Sequence, residues 1–188
     1  MTYIEELINT KQRRSNSMVA SISSKILQIR KENIKQSLSD LDTVEHRQDL
    51  VATVNGVMYY DDSGAESVNA TWFTLENIVR PVIWIAGGYD RDTDFKDLKQ
   101  VARKKVKALI CIGKYNANLK QSFQKDIKDI YEVRSMEEAV DTASFLAGED
   151  DIVLFSPACK SDKEEETYIE RGNQFTENVK RLENEHCQ

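Results

Sequence analysis

Pro81-Val82-Ile83-Trp84-Ile85-Ala86-Gly87-Gly88 decides the fold. The apolar run has no polar face, as expected of a strand covered on both sides in a parallel sheet. Val106 to Ile112 and Ile152 to Phe155 read the same way. Between and around them lie helical patterns. Val68 to Val79 carries Trp72, Leu75 and Val79 on one face, and Phe95 to Lys105 and Asn118 to Gln124 follow. Ser135-x-x-Glu138 is a capping box opening a helix to about Ala147. Ile130 to Val133 is a short strand, and Glu164 to Glu185 a long terminal helix. Upstream, Leu50 to Val54 and Val57 to Tyr60 flank Asn55-Gly56, the dipeptide that supplies the positive φ angles of a tight hairpin. The expected class is α/β: a Rossmann-like, mainly parallel sheet with an antiparallel edge hairpin, flanked by helices.

Before the hairpin the pattern changes. Met18, Ile22, Ile26 and Ile29 recur at helical spacing, and Lys31 to Asp40 carries Ile34 and Leu38 on one face. Residues 1–45 therefore read as a helical arm, and 46–188 as the α/β domain.

Composition narrows the function. A net charge of −6 argues against a general nucleic-acid binder. No apolar run approaches the roughly 20 residues that cross a bilayer, and the amino terminus lacks a signal-peptide pattern, so no membrane partner and a cytoplasmic location are expected. Three spaced cysteines, Cys111, Cys159 and Cys187, fit reduced thiols. His46 and His186 are the two histidines, which disfavours a metal site. Gly-x-Gly-x-x-Gly and the phosphate-cradling Gly-x-x-x-x-Gly-Lys-Ser/Thr are both absent, so the sequence shows no nucleotide triphosphate engine of its own.

In such sheets ligands sit at the carboxyl ends of strands. Gly87-Gly88 admits either a close ligand approach or a plain turn. Asp61-Asp62-Ser63 reads as a carboxylate aimed at a ribose or cation, or as the cap of the next helix. Cys159 has no histidine placed to activate it and reads as a buried thiol. Arg47 offers a forked guanidinium to a phosphate. Lys160 to Glu166 reads as a solvated charge run leading into an acidic helix start.

These pieces occur in a known order. Val44-Glu45-His46-Arg47, Val54-Asn55-Gly56-Val57, Asp62-Ser63, Asn69-Ala70-Thr71, Ile85-Ala86-Gly87-Gly88 and Asp94-Phe95 come first. Val106-Lys107-Ala108-Leu109, Ser135-Met136-Glu137-Glu138-Ala139, Ser156-Pro157-Ala158-Cys159 and Glu170-Arg171-Gly172 follow. Together they resemble the C-terminal domain of the Mur ligases, closest to the D-glutamate-adding type, with the arm resembling the end of that family's central ATP-binding domain. The resemblance implies an ATP- and Mg²⁺-dependent, amide-forming ligase of peptidoglycan precursor synthesis. In it, this domain closes over the central one and receives the amino acid. By resemblance, Arg47 and Asp62 match nucleotide-contacting positions, and Ser161 a position that binds the D-glutamate carboxylate. Arg91 stands at a family lysine, and Tyr168 at an aromatic.

The departures cluster at the substrate. The family's Asp-Ser-Lys-Ala-Thr-Asn loop reads Asp62-Ser63-Gly64-Ala65-Glu66-Ser67, so an anionic ligand would meet the Glu66 carboxylate. Apolar positions after Ser161 have become Asp162, Lys163 and Glu165. The UDP-binding domain and most of the central domain have no counterpart here. The expectation is a domain that does not catalyse ligation alone, with residual nucleotide or amino-acid binding. The alternative is half of a ligase acting in trans with a separate Mur-type chain. A third reading, in which Asp61, Asp62, Glu66 and Asp90 gather Mg²⁺ in an unrelated enzyme, ranks last.

Overall fold

The computed structural model describes residues 46–161 and 166–186. The expected arm at 1–45, the altered positions Asp162, Lys163 and Glu165, and Cys187 lie outside the described residues.

The sheet has six strands: β1 (Asp49–Val54), β2 (Val57–Asp61), β3 (Val82–Ala86), β4 (Val106–Ile112), β5 (Asp129–Val133) and β6 (Ile152–Phe155). Their order is β1-β2-β6-β3-β4-β5. The β1–β2 pair is antiparallel, and β2–β6, β6–β3, β3–β4 and β4–β5 are parallel. The α/β expectation, antiparallel edge included, therefore stands. Asn55 (φ 50°) and Gly56 (φ 80°) make the hairpin turn with the two positive φ angles that their sequence predicts. β6, last in the chain, inserts between β2 and β3. That insertion brings the loop at Ser156 beside the end of β2 and shapes the site.

Among the described residues, five α-helices cover the faces: α1 (Val68–Asn77), α2 (Lys99–Lys105), α3 (Ala117–Phe123), α4 (Met136–Leu146) and α5 (Tyr168–His186). Side chains alternate across the sheet with a period of two. From β3, Ile83 and Ile85 join a buried cluster with Ala139, Val140 and Ala143 of α4 and Phe175, Val179 and Leu182 of α5. Trp84 points the other way and meets Phe123 edge-on at 5.3 Å. Its indole N–H donates to the Ser156 carbonyl at 2.7 Å. Burying each large apolar side chain contributes about 1.5–3 kcal/mol. The central run is thus the main anchor between the two helix layers.

Several boundaries differ from the pattern. α1 stops at Asn77, and Val79 is 94% exposed rather than on its apolar face. The Lys105 ammonium donates to the Glu76 and Ile78 carbonyls, satisfying the helix end. A 3₁₀ turn (Lys96–Leu98) precedes α2, where one continuous helix is expected from Phe95. At α4, the Ser135 hydroxyl accepts from the Glu138 N–H, but the Glu138 carboxylate reaches the Arg134 N–H rather than that of Ser135. α5 begins at Tyr168, later than Glu164. Thr167 and Glu170 cap it reciprocally, with the Glu170 N–H donating to the Thr167 hydroxyl and the Thr167 N–H to the Glu170 carboxylate. Among the described residues, no helix is long and apolar enough to cross a membrane.

Candidate functional site

The carboxyl edge of the sheet carries two dissimilar regions. The first is the end of β2. Parallel pairing with β6 continues as the Asp62 N–H donates to the Phe155 carbonyl at 2.8 Å. Asp61, Asp62 and Ser63 are all buried. Asp61 accepts the Ser63 N–H at 2.9 Å and lies 2.5 Å from Nδ1 of His46. Asp62 faces Nε of Arg47 at 3.3 Å and accepts the Ser156 hydroxyl at 2.8 Å. Its Oδ1 has no hydrogen bond meeting strict geometry. Burial pushes the Asp62 carboxyl up to about 6, against the opposing pull of Arg47 and of hydrogen bonds from Thr74 and Ser156.

Asp62 and Ser63 do not cap α1. The cap is Ser67, whose hydroxyl accepts the Ala70 N–H. Gly172 of α5 packs directly above this region. A Cβ there would stand 2.3 Å from His46 Nδ1, 2.4 Å from Ser63 Oγ and 2.6 Å from Asp61 Oδ2. The helix crosses the paired acids with no room for a side chain.

The second region is an open cleft of about 940 Å³ over the ends of β3, β4, β5 and β6. Gly87 (φ 135°) and Gly88 (φ 143°) line it, with Gly113, Lys114, Arg134, Ser161, Glu166 and Arg171. The glycines are required by backbone crowding. A Cβ on Gly87 would stand 2.1 Å from the Ile112 carbonyl oxygen, and one on Gly88 2.1 Å from that of Lys160. The Gly87 N–H donates to the Pro157 carbonyl and the Tyr89 N–H to the Lys160 carbonyl. The strand-end loops are therefore bound to one another through their main chains.

Within the cleft, the Ser161 hydroxyl donates to Glu166 at 2.6 Å. Buried Arg171 reaches across from α5. Its guanidinium donates to the carbonyls of Gly87 and Cys159, each at 3.2 Å, and to the Glu66 carboxylate at 2.9 Å. Glu66 is thus a paired carboxylate, not a bare one. At the rim, Arg91 stacks over Tyr115 at 4.5 Å, and Tyr89 meets Tyr115 edge-on.

The glutamate ligase domain of the Mur ligases matches residues 46–159. This chain belongs to that family. It is 40% identical to the UDP-N-acetylmuramoylalanine–D-glutamate ligase of Christiangramia forsetii over 95% of this chain and 40% of that protein. The corresponding ligase of Porphyromonas gingivalis is 40% identical over 90% and 38%. The chain spans about two fifths of the length of these relatives. A domain assigned to a UDP-N-acetylmuramate:L-alanyl-gamma-D-glutamyl-diaminopimelate ligase of Haemophilus ducreyi shares the fold (TM-score 0.51, 12% identity), covering 72% of this chain and 99% of that domain. MurF ligase of Thermotoga maritima in complex with ADP does so too (TM-score 0.51, 15% identity), over 74% of this chain and 32% of that one. The relation to the Mur ligases that the motif order suggests is therefore a finding.

Within this Mur ligase domain the expected site residues fall into groups. Arg47 and Asp62 pair at the end of β2. Ser161 lines the cleft, and Arg91 stands at its rim on Tyr115. Tyr168 does not join them: it opens α5 with its ring edge-on to His46 at 6.3 Å. The four acids weighed for Mg²⁺ are not gathered. Asp90 caps the start of α3, accepting the Leu119 N–H at 2.7 Å, and the other three are paired elsewhere. Among the described residues no three His, Cys, Asp or Glu side chains gather into a cation site. For ATP the fit is partial. Arg47 keeps a guanidinium suited to oxygen ligands, while Asp62 is fully buried behind it.

Both described cysteines are buried. Burial raises the Cys111 thiol to about 12, the setting of an inert group. Sequence reasoning placed Arg171 in a matching block but gave it no role. Its signal, a cation inside an otherwise apolar helix face, was present. Its partner Glu66 lies far away in the chain.

Proposed function

We propose that this domain is the amino-acid-receiving part of an ATP-dependent, D-glutamate-adding ligase, and that it does not carry out ligation by itself. The observation behind this reading is the open, main-chain-built cleft at the strand ends, with Ser161 on its wall. Ser161 and Arg91 meet the amino-acid carboxylates, and Tyr168, packed on His46, does not line the cleft. Arg47 contacts the nucleotide. Asp62 works through Arg47 as a positioning residue, because its own carboxylate is covered. ATP bound there would supply the phosphoryl group that activates the acceptor carboxylate. This chain's contribution is to bind and orient. The absence of a Gly-x-x-x-x-Gly-Lys-Ser/Thr loop from its 188 residues supports the lack of independent turnover.

Calorimetric titration with ATP, D-glutamate and UDP-muramoyl-alanine tests this. Weak binding of ATP or D-glutamate and no ADP release are expected. ADP formation by the purified chain alone would overturn the reading. The match of Arg47, Asp62 and Ser161 to family positions favours a second one, a ligase half working in trans. That reading requires D-glutamate-dependent ADP release on mixing with a chain carrying the UDP-binding and central domains.

A further inference from the structure

The fold fixes the backbone around Arg91 from both sides. Asp90 accepts the Leu119 N–H at 2.7 Å, and the Asn118 amide donates to the carbonyls of Asp90 and Thr93 at 2.7 and 2.8 Å. The Thr93 N–H closes the turn on the Asp90 carbonyl at 3.0 Å. Residues 90–93 are thereby bound to the start of α3. The Arg91 side chain is exposed. A long cation loses rotamer freedom when it grips a ligand, which weakens binding unless that freedom is already restricted. Tyr115 restricts it: Cζ of Arg91 lies over this ring, 4.5 Å from its centroid. The ring is half-buried and lines the cleft. Tyr89 holds it in turn, edge-on at 6.0 Å, and residues 89 and 115 pair as a parallel bridge. The Tyr89 N–H donates to the Lys160 carbonyl, next to Ser161. Arg91, Tyr115 and Ser161 therefore stand on three loops joined through Tyr89.

We propose that Tyr115 is a positioning residue of the amino-acid site: its ring holds the Arg91 guanidinium at the mouth of the cleft for a ligand carboxylate. This rests on the cleft being the amino-acid site and on Arg91 meeting a carboxylate there. A guanidinium against a ring face keeps its N–H donors for other partners. It is also more weakly hydrated than an ammonium, so it is the better partner for the ring. That preference accounts for an arginine at a position where the resemblance places a lysine. The Lys114 ammonium lies 5.2 Å from the same centroid, so the test separates the two cations.

D-glutamate is titrated into the full chain, with the amide shifts of Gly88 and Ser161 reporting affinity. Arg91→Ala should weaken binding about tenfold. Tyr115→Leu should weaken it about three- to fivefold, and Tyr115→Phe, which keeps the ring, by less than about twofold. In an Arg91→Ala background Tyr115→Leu should have no further effect, whereas in a Lys114→Ala background it should keep its full effect. A general loosening of the rim would weaken binding with or without Arg91. The Arg91 side-chain protons report the contact without ligand. They should lie upfield in the wild type and in Tyr115→Phe, and at ordinary positions in Tyr115→Leu. A Tyr115→Leu effect that persists without Arg91, that depends on Lys114, or that is absent while Arg91→Ala weakens binding would overturn the proposal and leave the cleft reading intact. Cleft shifts with unchanged affinity in Arg91→Ala would overturn it and take Arg91 out of the site. No shift at Gly88 or Ser161 would remove both the proposal and the cleft reading.

Discussion

The end of β2 and the cleft over β3 to β6 lie on the same sheet edge, yet they handle charge in opposite ways. At β2, two adjacent carboxylates are sealed under α5 and matched one to one, Asp61 with His46 and Asp62 with Arg47. At the cleft, Glu166 is only partly buried, beside open volume, while Glu66 is partly buried against Arg171. Burial depth separates them. A sealed ion pair is held by packing, and losing one member leaves an uncompensated charge. A partly exposed carboxylate such as Glu166 exchanges with solvent at much lower cost.

Glycine substitutions strain this comparison hardest. Gly88→Ala places a Cβ against the Lys160 carbonyl at a backbone angle that side chains rarely adopt. A loss on the order of 3 kcal/mol in urea unfolding is expected. Gly172→Ala meets the ends of the His46, Ser63 and Asp61 side chains rather than backbone. It gains about 1 kcal/mol of helix propensity, so its net loss should be smaller, about 1–2 kcal/mol. If Gly172→Ala proved the more damaging, the cleft floor would not be the more rigid region.

Asp62 gives the next effect. Its carboxyl is raised to about 6 in the fold, above the ordinary 3.8. The folded state therefore holds this proton more tightly, and stability from the group is present below about 3.8 and lost as pH rises through about 6. Relative to wild type, Asp62→Asn should gain about 1–3 kcal/mol between pH 4 and pH 8. Urea midpoints across that range check it. A difference that is flat with pH would mean the sealed region is wetter than its geometry shows.

Arg47→Met removes the cation that opposes burial, so the Asp62 carboxyl should titrate above about 6, read by carboxyl-carbon chemical shift. A lower value would show that Arg47 is not the charge partner. Smallest of all, Arg91→Ala at the exposed rim should change stability by less than about 0.5 kcal/mol.

The sequence carried the sheet well because its signals are local. Val82 to Ala86 and Ile152 to Phe155 are fully buried runs, and Val106 to Ile112 is buried from Ala108 to Cys111, which no amphipathic helix would show. Asn55-Gly56 carries its turn geometry in two residues. The failures are places where distant residues decide. Val79 keeps the helical spacing, but Lys105 satisfies the carbonyls of Glu76 and Ile78, and the helix ends early. Asp62 looked like a cap because its neighbour across the sheet, Ser156, is invisible to local patterning. In the candidate site, Ser161 was legible through the motif order. The Glu66–Arg171 pair was not, since only the insertion of β6 and the crossing of α5 bring those residues together.

The floor beneath the cleft is made of peptide groups, with Gly87 and Gly88 wedged against the carbonyls of Ile112 and Lys160. Its contour therefore owes little to which side chains stand above it. A lineage could exchange lining residues such as 114, 134 or 166 one at a time, altering what the cleft meets while the scaffold stays as it was. Such a fold separates the inheritance of form from the inheritance of taste.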